Sequence, residues 1–164
     1  MAYFNNLVRL WNFTSITFVS INYNYALLTS KVEIMSELNR LDTGQLQLHN
    51  EALIKLTVLL YQIDGKVTLT EQDYFDEVLQ EMSWHSGISK EAYVNDAIHQ
   101  AREAIDTSAA ADFIRSLSNE LNIDAARSLE VAMIITKVDG LRSEKEVELL
   151  SLLANRVLAK GLVA

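Results

Sequence analysis

One stretch is written twice in this chain, and the duplication limits what the chain can fold into. Ile63-Asp64-Gly65-Lys66-Val67-Thr68-Leu69-Thr70-Glu71 returns as Val138-Asp139-Gly140-Leu141-Arg142-Ser143-Glu144-Lys145-Glu146. The two copies lie 75 positions apart without gaps, so Asp64 matches Asp139, Thr68 matches Ser143 and Glu71 matches Glu146. An apolar run precedes each copy, Leu56 to Ile63 and Val131 to Val138, and an apolar-periodic run follows, so each reads as helix, turn, helix. Glycine just past a periodic run stops a helix, because it alone takes a left-handed backbone cheaply. Thr68 with Glu71, and Ser143 with Glu146, have the spacing of a capping box, in which each side chain bonds the other's backbone N–H and opens the next helix.

Asp64 and Asp139 have no such structural excuse. At a helix C-terminus a carboxylate meets the negative end of the macrodipole, a cost of about 0.3–1 kcal/mol at an exposed site. Compensation can come from an Asx-type bond to the backbone of the turn, from Lys66 or Arg142 close by, or from a cation shared by the two turns. Four carboxylates gathered in one place raise each other's pKa or recruit a cation. Three roles therefore stand open for Asp64, Glu71, Asp139 and Glu146: helix caps and turn ties, a divalent metal site, or general acid/base work. A metal held only by oxygens would be hard, calcium, magnesium or manganese, with zinc also in play.

The rest of the chain reads as all-α. With 164 residues and no proline, it is about one domain built of long uninterrupted elements, and the absence of cysteine suits a reducing cytoplasm. A net charge of −8 repels phosphate backbones, which argues against nucleic acid and for cations or basic proteins as partners. Residues 1–30 stand apart, since Arg9 is their only charge and seven of the chain's thirteen aromatics fall there. Phe4, Leu7, Val8 and Trp11 follow helical spacing, whereas Val19, Ile21, Tyr23 and Tyr25 alternate like a strand, which leaves 13–25 open. That segment is too polar for a membrane span and lacks the basic start of a signal peptide. It reads as a packing arm, with a peripheral membrane or partner-binding arm, or translation starting at Met35, as alternatives.

From Lys31 to the end the period is helical. Asp42-Thr43-Gly44 punctuates it, with the next helix starting at Thr43 or Asn50. Tyr74, Phe75, Val78, Leu79 and Met82 form one stripe, opposite the acidic stripe Asp73, Asp76, Glu77 and Glu81. Ser89 and Ser108 are N-cap candidates for the next two helices, and Val147, Leu150, Leu153, Ala154, Val157 and Leu158 mark the last. The expectation is a single-domain bundle of about seven or eight helices over 31–164 with a pseudo-twofold repeat around 64–71 and 139–146. The nearly continuous apolar runs ahead of the two Asp-Gly pairs should be its most buried helices.

The doubled Asp-Gly turn with Glu seven residues after the Asp, in a cysteine-free acidic chain, resembles the TerB family of tellurite-resistance proteins and the TerB-like domain of some J-domain co-chaperones. The likeness covers about residues 31–160. It implies an all-helical fold with an internal repeat, and a divalent-metal site at Asp64, Glu71, Asp139 and Glu146. Family members often carry further acids two and four residues after the Asp, where this chain has Lys66 and Thr68, then Leu141 and Ser143. A calcium EF-hand does not fit, because its earlier ligand positions would be Leu60 and Gln62, then Ile135 and Lys137.

Other chemistry is sparse. His49, His85 and His99 are scattered and read as partly exposed helix or loop residues, with His99 and Glu103 a surface pair. There is no phosphate-binding glycine loop and no nucleophile elbow. The functional expectation is a cytoplasmic, stress-associated, metal-binding protein of the tellurite-resistance kind that is not an enzyme. The alternatives are a metal-free adaptor recruiting proteins through its acidic helix face or aromatic N-terminal segment, and a metal-dependent hydrolase.

Overall fold

The computed structural model describes residues 42–162 apart from 141 and 160. The reading of residues 1–30, and the boundary drawn after them, lie outside the described residues. Thr43–Ala164 form one compact unit.

The fold is all-α, with no strand among the described residues. Helix α1 runs through 42–62, α2 spans Leu69–Glu81, α3 Lys90–Asp106, α4 Ala110–Ser116 and α5 Ser118–Leu121. A 3-10 turn, Asn122–Asp124, leads into α6, Ala125–Ile135; α7 covers Glu144–Leu152 and continues as a π turn, Leu153–Val157. Leu53, Ile54, Leu56, Val58, Leu59 and Leu60 point in every direction around α1, and all are buried. A helix apolar on all sides must be central. Around it, Phe75 meets Tyr61 with ring centroids 5.6 Å apart, and Asn50 Nδ2 donates to the Ser83 carbonyl at 2.8 Å. Each fully buried leucine or isoleucine contributes on the order of 1.5–3 kcal/mol.

Several expectations change here. The described helix is already present at residue 42, one position before the expected start at Thr43, and Asn50 lies inside it rather than capping it. One glycine inside a helix costs only about 1 kcal/mol, which the apolar surface buried by α1 outweighs. Ser89 does cap α3, accepting from the Ala92 N–H, but α4 is preceded by Ala109 with no side-chain bond, and Ser108 sits at φ +57° instead. On α6, Val131, Ala132 and Ile135 are buried while Met133 and Ile134 are 48% and 39% exposed, so this helix covers the core with one face rather than crossing it. On α7 the buried apolar residue is Leu149, beside buried Glu146, whereas Val147 is 53% exposed. The π turn adds a residue to the following turn, which brings Leu153, Val157 and Leu158 inward together.

The C-terminal end is fastened by one side chain. Asn122 Nδ2 donates to the carbonyls of Val157 and Ser118, each at 2.7 Å, and its Oδ1 accepts from the Gly161 N–H at 3.0 Å. Gly161 approaches so closely that an added Cβ would stand 2.6 Å from the Ala125 Cβ.

Candidate functional site

The two duplicated corners are built alike. Gly65 and Gly140 hold φ of +78° and +104°, and each donates its N–H to the carbonyl three residues back, Gln62 at 3.0 Å and Lys137 at 2.9 Å. Both capping boxes are formed. In the first, Thr68 N and Thr68 Oγ1 each donate to Glu71 Oε2 at 2.8 Å, and Glu71 N donates to Thr68 Oγ1 at 3.2 Å. In the second, Ser143 N donates to Glu146 Oε2 at 2.6 Å and Glu146 N to Ser143 Oγ at 3.3 Å.

Capping explains why two carboxylates tolerate burial. Glu71 is 3% exposed and Glu146 4%, yet each sits in the first turn of a helix, where free N–H groups and the positive end of the dipole favour an anion. Asp64 uses the Asx-type solution, with Oδ1 accepting from the Lys66 N–H at 2.8 Å. Arg142 does not serve the acids in this way. Its Nε donates to Thr136 Oγ1 at 3.0 Å and its terminal nitrogen to the Met133 carbonyl at 2.7 Å, so it covers the negative end of α6. Among the described residues no lysine or arginine forms an ion pair with Asp64, Glu71 or Glu146.

Both corners contribute to the electrostatics of Glu71. Burial pushes its carboxyl above the ordinary range, the Thr68 bonds pull it down, and the charges of Asp139 and then Asp64 push it up again. Asp139 belongs to the other copy. Its charge is one of the smaller contributions to that upward push. The corners do not close into a cage: among the described residues, no three acidic or histidine side chains stand close enough to hold a metal ion. The four carboxylates as placed do not fit a tight calcium or zinc site, which needs at least three protein ligands.

One chemically notable residue escaped the sequence reading. His49, expected near the surface, is 3% exposed, and its Nε2 lies 3.0 Å from Ser128 Oγ, which is wholly buried. Ser128 donates to the Leu121 carbonyl at 3.0 Å. A single hydroxyl proton cannot serve both the carbonyl and the ring, and the ring also meets the backbone of Asp124. The contact of His49 with Ser128 joins α1 to α6 in the interior, where no solvent reaches the serine hydroxyl. The one available signal was that His49 falls within the helical period of α1, four residues ahead of Leu53.

Among the described residues, no helix is long and apolar enough to cross a membrane. No family model matches the chain, and no curated protein or solved structure matches it.

Proposed function

We propose that the paired corners form a binding site for a hydrated divalent cation in a non-catalytic, TerB-like module of the cytoplasm. The observation that carries this reading is a pair of like-built corners, each burying a capping glutamate within reach of an Asp-Gly turn, with the charge of Asp139 adding to the upward push on the Glu71 carboxyl. A cation placed between them relieves that repulsion. Because no three ligands converge, magnesium suits the geometry better than calcium or zinc. Magnesium dehydrates reluctantly and is commonly held by one or two carboxylates with water completing its octahedron. Asp64, Glu71, Asp139 and Glu146 would supply those carboxylates, and the cation would supply charge neutralisation. A role in tellurite resistance or stress follows from the resemblance of the doubled turn.

The test is calorimetric titration of the full chain with Mg²⁺, Ca²⁺, Mn²⁺ and Zn²⁺, repeated on the Asp64→Asn, Asp139→Asn double variant. The expected dissociation constant for Mg²⁺ is about 0.1–1 mM, typical of weak oxygen-ligand sites. At 10 mM Mg²⁺ a 1 mM site stabilises the fold by about 1.4 kcal/mol, so thermal unfolding gives a second readout. Saturable heat in the parent that disappears in the variant supports the site. Equal heats, or none from either protein, reduce the corners to helix caps.

A further inference from the structure

Away from the corners, an open groove of about 390 Å³ runs between α2 and α3. Asp76, Leu79 and Gln80 line one wall and Glu91, Val94 and Asn95 the other. The two apolar residues are only partly buried, so the groove offers hydrocarbon surface between two carboxylates. Asp73 and Glu77 extend the exposed negative charge along α2.

The groove has one cation of its own, and that cation is engaged. Helix α2 has no basic residue in its last turn, and Lys90 makes good the lack by donating its ammonium to the carbonyls of Leu79 and Met82. The positive charge thus neutralises the negative end of α2. It leaves Asp76 and Glu91 exposed on opposite walls without a lysine or arginine partner among the described residues.

We infer that this groove is a docking site for a basic amphipathic helical segment of a partner protein. Its apolar side chains would rest on Leu79 and Val94, and lysine or arginine side chains one turn away would meet Asp76 and Glu91, the spacing by which helices seat in grooves. Charge complementarity selects this occupant. A second copy of the chain would bring a net charge of −8 against the same sign, and nucleic acid or an anionic membrane would be repelled. No groove residue belongs to the acidic corners, so this binding is independent of any cation there.

The experiment titrates the full chain into a fluorescent amphipathic helical peptide of leucine and lysine, with a non-amphipathic glycine–lysine peptide of equal charge as control. Saturable binding is expected for the first peptide, at least about ten-fold tighter than for the second, and weakening with added salt. The Asp76→Lys, Glu91→Lys variant should lose about ten-fold or more in affinity. The same charge change at the exposed residues Glu103 and Glu148 should leave most of the affinity intact. Amide shifts in the unmodified protein, which need no variant to fold, should concentrate at Leu79, Gln80, Val94 and Asn95. Absence of saturable binding, equal losses in both double variants, or shifts centred elsewhere would each overturn the docking site.

Discussion

At the scale of single residues, the most consequential side chain is His49. Burial holds its pKa below the usual histidine value, Asp124 raises it in part, and Arg127 lowers it again. A second proton on the ring would leave a charge in the interior. The unfolded chain binds that proton near pH 6.5 and the folded chain only at lower pH, so the unfolded state holds more protons in between. Stability is therefore complete above about pH 6.5 and declines as pH falls toward the folded value. Urea unfolding at steps from pH 7.5 to 5 should show this decline. His49→Gln should lower stability by about 1 kcal/mol at neutral pH, through the altered Ser128 bond, and should flatten the slope below pH 6.5. An unchanged slope in the variant would remove His49 as its source. Glu71 acts in a lower window and with the opposite sign. Its raised carboxyl takes up a proton in the folded state first, so it favours folding as pH falls toward its range.

At the scale of elements, the two corners show how far local chemistry reaches. Thr68→Ala and Ser143→Ala should each cost about 0.5–2 kcal/mol, because each removes a cap, and Thr68→Ala also takes the hydroxyl donor from buried Glu71. Gly65→Ala should cost about 1–2 kcal/mol from its left-handed backbone alone, since a Cβ there meets nothing within 4 Å. Chemical denaturation of the three variants measures both effects. Should Gly65→Ala prove neutral, the turn has another conformation at little cost. These features were legible in the sequence because they are encoded within nine residues: a stop glycine, an N-cap and a glutamate three positions on. The stripe of Phe75 and Val78 and the burial of α1 were legible for the same reason, through a regular period. What escaped was set by packing between distant segments. Val147 and Leu149 are two positions apart on α7, and which one turns inward depends on the π turn that follows. Continuous apolar sequence in α6 hid the outward face of Met133 and Ile134. The contact of His49 with Ser128 joins segments 79 residues apart, beyond the reach of any local pattern.

For the whole molecule the governing quantity is charge. A net −8 works against the compact state, and the exposed acids of α2 add to it with only Glu81 paired among the described residues, to Arg127 at 2.6 Å. Exposed pairs of this kind contribute at most about 1 kcal/mol, so they do not offset the excess. Salt that shortens the Debye length from about 30 Å at 0.01 M to about 10 Å at 0.1 M should therefore raise the unfolding temperature, whichever monovalent cation is used. Sodium and potassium should give the same curve, because screening depends on ionic strength alone. Magnesium compared at equal ionic strength should lie above that curve by the stabilisation of one bound ion. For a domain of this size, about 1 kcal/mol corresponds to roughly 2–4 °C. The Asp64→Asn, Asp139→Asn variant should fall back onto the monovalent curve. A magnesium curve that already coincides with sodium in the parent would mean that the corners feel the ion only as part of the general atmosphere around an acidic protein.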